Sequence, residues 1–148
     1  MSNGPLPSQL CLLSELPSKA VHSKVRFLSC VSSYSTSSGI LALEHHQPMD
    51  THRVFALVNV DLILESLKAE QTRPGQWVNL IGYITSISPL ADESSGHRVT
   101  NVHVQALLLW SAGPLDLERY EKSVKNLEAG RISAAARSTS LSDTLLQP

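Results

Sequence analysis

Residues 74–87 read PGQWVNLIGYITSI, and this stretch decides the fold. It enters a predicted strand, residues 76–87, through the turn signal Pro74-Gly75. Trp77, Ile81 and Tyr83 fall on one face of that strand, as the two-residue period of a strand requires. Gly82 lies in its middle, where a glycine usually marks a sharp bend. A small closed barrel needs such bends, so the stretch favours a barrel over a flat sheet.

Four further segments read as strands. Residues 21–34 are rich in β-branched side chains, and residues 40–45 follow across the small polar turn 35–39, so the two predict a hairpin. Residues 53–60 place Val54, Ala56, Val58 and Val60 on one face. Residues 101–110 also alternate. Their predicted inward set is Val102, Val104, Ala106, Leu108 and Trp110.

Two helices complete the predicted order. Residues 61–69 form one between the third and fourth strands, with Asp61 at its N-cap or in its first turn. Residues 115–129 form the other, which Pro114 opens and Gly130 closes. Five strands with a helix between the third and the fourth is the order of the OB-fold, a five-stranded Greek-key barrel. We therefore predict an all-β barrel with flanking helices; an unrelated α+β meander is the alternative.

A chain of 148 residues has room for one domain with a substantial core. We place that domain at residues 10–130, after a disordered leader of small and polar residues at 1–9 and before a mostly disordered, Ser- and Ala-rich tail at 131–148. The apolar residues 10–16 are expected to cover one end of the barrel. Their run is too short to target or span a membrane, so we expect a soluble, intracellular protein.

The charge balance limits how the chain can bind nucleic acid. Twelve Lys and Arg face thirteen Asp and Glu, for a net charge of −1 and a pI of about 6.6. A protein whose affinity rests on neutralising phosphates should have a basic excess. Any nucleic-acid contact must therefore use a local patch or a more basic partner.

Nothing in the sequence indicates catalysis. His45, His46, Asp50 and His52 form a metal-like cluster, but their spacing around Pro48 is irregular and no cysteine is near, which favours a polar loop over a zinc site. The chain has neither a GxSxG elbow nor a glycine-rich phosphate loop. We predict no enzymatic activity, metal or cofactor.

The two cysteines point the same way. Cys11 and Cys30 lie in apolar surroundings outside any CxxC pair. We expect two buried free thiols rather than a disulfide or a catalytic thiol.

OB-folds hold single strands of nucleic acid with aromatic rings and cations. We assign Trp77 and Trp110 to the core or to an interface, and regard Tyr34 at the hairpin tip and Phe55 on the outer face of the third strand as better stacking candidates. With the cations expected at exposed positions, the candidate contacts are Lys24, Arg26, Tyr34, Arg53, Phe55 and Arg98.

An apolar stripe marks the C-terminal helix. Its members recur at intervals of 3, 4 and 3 residues, the spacing of a helix-packing seam. Glu118 and Lys122, like Glu121 and Lys125, form i,i+4 pairs that indicate a solvated opposite face. The stripe packs either on the chain's own barrel or on a helix of another chain, and the narrow seam favours the partner. The predicted partner-binding residues are Leu117, Tyr120, Val124 and Leu127.

Five stretches resemble the fungal form of the smallest, or Ten, subunit of the telomere-capping CST complex. The most specific motifs are PGQWVNLIGYI at 74–84 and LLLWSAGPL at 107–115. The second overlaps the resembling stretch VQALLLWSAGP at 104–114. Ser29 stands where we expect a Gly, which puts the local bend of the first strand in doubt. The other stretches are RFLSCVSSY at 26–34, LALEH at 41–45 and ALVNVDLILESL at 56–67, so the resemblance spans roughly residues 21–128.

The resemblance implies an OB-fold that pairs stably with the larger Stn subunit, through its OB domain and C-terminal helix, in the manner of the small replication protein A subunits. It implies contact with the large CST subunit through Stn, and a role in protecting telomeric single-stranded DNA, which this chain would bind only weakly alone. The expected location is the nucleus, at telomeres. A stand-alone single-stranded nucleic-acid-binding OB protein is the alternative.

Overall fold

The structure, a computed structural model, describes residues 7–45, 52–92, 97–113 and 117–140. The chain divides into two compact units, Met1–Gly113 and Pro114–Pro148. The described part of the first unit contains strands and short 3-10 helices, and that of the second contains one α-helix, α1 (Leu117–Ser140). The strands are β1 (Gln9–Leu10), β2 (Lys24–Ser35), β3 (Ile40–Glu44), β4 (His52–Asn59), β5 (Trp77–Asp92) and β6 (His97–Ser111).

Five of the strands close into a barrel. Their order is β2-β3-β4-β6-β5, and β5 pairs back onto β2. The β4–β6 pair is parallel, and the other pairs within the ring are antiparallel. This is the Greek-key ring of an OB-fold, so the predicted fold class is confirmed. The additional strand, β1, pairs in parallel with β2, with Gln9 opposite Val25.

Alternate side chains of every strand of the ring fill the barrel. Val54, Ala56 and Val58 of β4 are buried, as is Val60 just after it, which confirms the face predicted for this strand. Their neighbours in the same core include Phe27 of β2, Leu41 and Leu43 of β3, Leu80 and Ile84 of β5, and Val102, Val104 and Ala106 of β6.

The N-terminal segment supplies part of this core. It passes through β1 and then a 3-10 helix, Leu13–Ser18. Cys11, Leu13 and Leu16 are fully or almost fully buried in the same cluster as the barrel side chains. The expectation that this segment covers the barrel is therefore confirmed. Within the described residues the first strand begins at Gln9, one residue before the predicted domain boundary.

The first hairpin has the predicted connection. β2 and β3 pair from Ser35 opposite Ile40, and Gly39 adopts a φ of +68°, which glycine permits at the tight turn. β2 starts at Lys24, three residues after the predicted start. It runs unbroken through Ser29, whose hydroxyl is buried and makes no hydrogen bond to any described group.

The predicted α-helix at 61–69 is wrong in type and length. Two short 3-10 helices, Asp61–Ile63 and Ala69–Thr72, occupy the connection between β4 and β5. Asp61 lies in the first turn, as expected. Ile63 is buried in the core and Leu67 packs against it. Leu62 and Leu64 are exposed, so the segment makes two separate contacts rather than presenting the continuous apolar face that would hold a longer helix.

Gly82 lies where β5 approaches the backbone of β6. A Cβ at this position would lie 2.4 Å from the carbonyl oxygen of Gln105 and 2.7 Å from Cγ1 of Val104. The register of the β5–β6 pair shifts at the same place, between Ile81 and Gly82, and again between Ile84 and Ser86. The position at which a sharp bend was predicted, Gly82, is thus a bulged and closely packed one.

The C-terminal helix differs from its predicted range of 115–129. It begins at Leu117 and continues through Gly130 to Ser140, so Gly130 does not end it. A glycine inside a helix costs about 1 kcal/mol relative to alanine, but it stops a helix only by adopting a left-handed cap. The rest of the predicted tail, 141–148, lies outside the described residues, as does Pro114. No helix of the described chain is long and apolar enough to cross a membrane.

Candidate functional site

The predicted nucleic-acid contacts do not form one site. Arg53 and Phe55 lie on the outer face of β4, and Lys24 and Arg26 lie on β2, in the part of that strand that pairs with β5. Arg98 is exposed near the start of β6, opposite His52 of β4. The structure therefore brings four of the six candidates together as two pairs and leaves Arg98 and Tyr34 outside them.

The β4 pair is electrostatically occupied. The Arg53 guanidinium donates a hydrogen bond to Oε2 of Glu44 at 3.0 Å and lies 5.0 Å from the centre of the Phe55 ring. Glu44 and Phe55 are directly opposite each other in the β3–β4 pair. Because the carboxylate neutralises the guanidinium, this face offers little net attraction to phosphate.

Tyr34 is a core-packing residue. It is partly buried and packs against the hydrophobic cluster of the barrel. A shift of register between Val31 and Ser33 precedes it. As a result Tyr34, near the end of β2, lies opposite the buried Leu41, near the start of β3. Its ring is therefore less available for stacking than its position at the hairpin predicted.

Trp110 lies on the outside of the barrel, and its predicted inward placement is wrong. The β5–β6 register passes from Gly82 opposite Ala106 to Ile81 opposite Leu108, so Leu107 is an extra residue on β6. One extra residue moves every later side chain to the other face. Leu108 is accordingly 58% exposed, whereas Leu109 packs against the core.

The outward turn of Trp110 brings it to Arg26. The guanidinium carbon of Arg26 lies 5.2 Å from the centre of the Trp110 ring, within the range of a cation–π contact. Ile81 pairs with Arg26 on one side and with Leu108 on the other. A cation, an aromatic ring and two aliphatic side chains therefore share one surface of β2, β5 and β6.

Trp77 lies at the start of β5, opposite Cys30 of β2. Its ring meets that of His45 edge to face, with 5.4 Å between the ring centres and 85° between the planes. Cys30 is only partly buried, which corrects the expectation for this thiol, while Cys11 is buried; neither forms a disulfide. Burial and then the Glu44 carboxylate raise the pKa of Cys30, although a hydrogen bond from the Gly75 backbone opposes them. A raised pKa disfavours the reactive thiolate.

The histidine cluster lies partly outside the described residues, which exclude His46 and Asp50. His45 is buried beside Trp77, and Nε2 of His52 lies 2.7 Å from Oγ1 of Thr100. Within the four described ranges, no three His, Cys, Asp or Glu side chains converge as metal ligands would.

The four stripe residues of α1 differ in exposure. Leu127 is 52% exposed, Leu117 and Tyr120 are partly buried, and Val124 is 1% exposed. On the solvated side, Nζ of Lys122 lies 3.6 Å from Oε1 of Glu118, so this predicted i,i+4 pair is present. Leu127 therefore offers the most apolar surface of the stripe.

The sequence matches the profile of a known family over residues 1–125, which is most of the chain. That family is described as "Ten1: Telomere capping, CST complex subunit". The chain belongs to the Ten1 family. This confirms the family inferred from the strand motifs. Comparison with curated proteins gives no match.

Two solved structures are similar to this Ten1 family member in fold. A chain of the S. pombe Stn1–Ten1 complex has a TM-score of 0.62 and 23% identity, over 85% of this chain and 96% of that one. The telomere capping protein Ten1 from S. pombe has a TM-score of 0.60 and 23% identity, over 83% of this chain and 99% of that one. At this identity the likeness establishes the shared OB-fold.

The outward Trp110 is the feature that sequence reasoning missed. A signal was present in LLLW at 107–110, where four apolar residues in a row interrupt the alternation of the strand. Such a run does not reveal which residue is the extra one, because that depends on the partner strand. The Ten1 family member therefore exposes a surface that its strand periodicity assigned to the core.

Proposed function

We propose that this Ten1 family member is a non-enzymatic subunit of a CST complex that binds the larger Stn subunit and, through it, the large CST subunit. The observation behind this proposal is the family match over residues 1–125. The similarity to a chain of the S. pombe Stn1–Ten1 complex supports Stn as the partner. Its place of action is then the nucleus, at telomeres, where the complex protects single-stranded DNA.

The contact with Stn is assigned to the accessible side chains of the α1 stripe, Leu117, Tyr120 and Leu127. Val124 of the predicted stripe is 1% exposed and offers no surface to a second chain. An apolar side chain that is half exposed on an otherwise charged helix favours burial by another helix, since each buried Å² of apolar area contributes about 25 cal/mol. Leu127 has this property. Tyr120 lies near the middle of the stripe, where truncation of an aromatic anchor often costs about 2 kcal/mol of binding.

A purely structural role agrees with the chemistry of the described side chains. The thiol with a perturbed pKa, Cys30, is shifted away from its reactive form. Nε2 of His52 lies 2.7 Å from the Thr100 hydroxyl, but Thr100 is buried, so a substrate cannot reach that hydroxyl. We infer that the subunit acts by binding and not by catalysis.

A stand-alone nucleic-acid binder is the less favoured function. The chain has a net charge of −1, and Arg53, one of its candidate phosphate contacts, is paired with Glu44. We expect the isolated chain to bind single-stranded DNA at ordinary non-specific levels, with a Kd of about 10⁻⁴–10⁻⁶ M.

The test is to measure Stn binding and thermal stability on the same helix variants. Leu127→Glu places a charge in the proposed seam and Tyr120→Ala removes its central ring. Each is expected to weaken co-purification with Stn by about thirtyfold or more, equivalent to ~2 kcal/mol, while the melting temperature changes little. Asn126→Glu, which adds the same charge at an exposed position one residue away, is the matched control and should bind normally.

Two results would contradict the assignment. If the stripe packs within its own chain, Leu127→Glu lowers the melting temperature and leaves the Stn affinity near normal. If Asn126→Glu weakens binding as much as Leu127→Glu, the loss reflects charge on the helix and not the seam.

A further inference from the structure

The outer surface of β2, β5 and β6 differs from the rest of the described barrel. The pairings place Lys24 beside Tyr83 and Arg26 beside Ile81, while Ile81 is opposite Leu108. We call this surface the Arg26 face; its members are Lys24, Arg26, Ile81, Tyr83, Leu108 and Trp110. The bulge at Leu107 creates it, because without the extra residue Leu108 and Trp110 would point inward.

The Arg26 face contains two cations, Lys24 and Arg26, although the whole chain has no basic excess. β2 and β6 contain no Asp or Glu, and the one acidic residue of β5 is Asp92, at the end far from Ile81. Among the described residues Arg26 makes no ion pair, and its guanidinium lies over the Trp110 ring. The contrast is Arg53 on the β4 face, which Glu44 neutralises at 3.0 Å.

We propose that the Arg26 face binds a single strand of nucleic acid, with Lys24 and Arg26 at phosphates and Trp110 stacking against a base. This rests on the proposed function, which brings the subunit to single-stranded DNA. Bases stack on indole rings and on guanidinium planes alike, and an Arg held against a Trp presents both. Ile81 and Leu108 add apolar area for base and sugar faces.

Lys24 favours nucleic acid over a protein partner at this surface. Arg and aromatic residues are common to protein interfaces and single-strand sites, but Lys is depleted from the cores of protein interfaces. Two cations on three strands whose one acid is distant suit a polyanion. The common OB site lies on the second and third strands of the ring, here β3 and β4, so the Arg26 face is a different surface.

Two phosphate contacts imply weak and mildly salt-dependent binding. Each neutralised phosphate of a single strand contributes about 0.7 to the slope of log affinity against log salt, so two contribute about 1.4. Removing Arg26 should lower that slope by about 0.7. This modest slope agrees with the net charge of −1.

The test uses the two tryptophans of the chain. In the full chain with Trp77→Phe, Trp110 is the remaining tryptophan and reports on stacking directly. Titration with a 15-residue oligodeoxythymidine at low salt should quench its emission. Adding Arg26→Gln to this Trp77→Phe chain should weaken binding several-fold and reduce the salt slope. A second variant, Trp110→Leu in the otherwise native chain, is measured by the anisotropy of a labelled oligonucleotide. It should weaken binding by about tenfold.

Arg53→Gln is the matched control, because it removes the same charge from the face that Glu44 neutralises. It should leave affinity and salt slope unchanged. Thermal melting of each variant identifies any that fails to fold. If Arg26→Gln fails to fold, the conservative Arg26→Lys replaces it. Arg26→Lys keeps the charge and loses the planar stack, so it should retain the salt slope and show reduced quenching of Trp110.

The same anisotropy measurement on the complex with Stn separates the two proposals. Arg26→Gln should weaken oligonucleotide binding and leave Stn co-purification intact. Leu127→Glu should weaken Stn co-purification and leave oligonucleotide binding intact. The absence of Trp110 quenching, or equal losses of oligonucleotide affinity for Arg26→Gln and Arg53→Gln, would overturn the proposed role of the Arg26 face. The proposal would also be overturned if Arg26→Gln releases a bound protein while oligonucleotide binding stays normal. Failure of Stn to bind the native chain would overturn the proposed function only.

Discussion

Gly82 occupies a position that no larger residue fits. The obstruction is the backbone of β6, 2.4 Å from where a Cβ would lie, so a rotamer change cannot relieve it. We expect Gly82→Ala to destabilise the chain by about 1–3 kcal/mol, and Gly82→Val by more, because either must push two paired strands apart. Urea unfolding followed by circular dichroism measures the loss.

Ser86→Thr is the control for this prediction. It adds one methyl group to the same strand at an exposed position and should change the free energy of unfolding by less than about 0.5 kcal/mol. If Gly82→Ala unfolds at the same urea concentration as the native chain, β5 and β6 are not closely packed at the bulge.

Ser29 shows how a small residue can stand where the family resemblance predicted a glycine. Its side chain is buried inside β2 opposite Val78, and its hydroxyl makes no hydrogen bond to any described group. An unpaired buried hydroxyl opposes folding. The continuous strand through this position shows that its backbone does not need glycine.

At the scale of elements, the N-terminal segment is a structural part of the barrel. Leu16, in the 3-10 helix Leu13–Ser18, is fully buried, whereas Leu62 in the β4–β5 connection is 69% exposed. Leu16→Ala should cost about 2–5 kcal/mol of stability, since the cavity left in a packed core adds to the lost burial. Leu62→Ala, the same chemical change, should cost little.

Urea unfolding of the two leucine variants checks this pair. Equal midpoints would mean that the N-terminal segment does not contribute to the cooperative core. A large loss for Leu62→Ala would instead indicate that the β4–β5 connection is buried in an assembly formed in solution.

At the scale of the molecule, the isolated chain should self-associate. Its described surface exposes Leu62, Leu64, Leu108 and Leu127, and a net charge of −1 supplies little repulsion between copies. We expect size-exclusion chromatography to show concentration-dependent oligomers of the chain alone and a discrete heterodimer after co-expression with Stn. Leu127→Glu should shift the isolated chain toward monomer.

The control for self-association is again Asn126→Glu, which changes the charge by the same amount. If both variants shift the elution equally, net charge rather than the apolar stripe governs association. A native chain that remains monomeric at high concentration would argue against an unpartnered seam on α1.

The sequence by itself determined the ring of strands and most of its core. Val54, Ala56 and Val58 are buried because period-two alternation is a local property, and burial of one face enforces it along a whole strand. The order of elements and the turn at 35–39 then favour the OB-fold over an α+β meander. These features depend on neighbours in sequence and can be predicted from them.

Tertiary structure decided which residues became the surface. Leu107 is the extra residue of β6 because β5 passes closest at Gly82, and that approach sends Trp110 out to Arg26. The connection after Asp61 forms 3-10 turns because two separate side chains, Ile63 and Leu67, hold it on the core in place of a continuous apolar face. A bulge costs little in isolation and is fixed by pairing with a distant strand, so its position cannot be predicted from the strand that contains it.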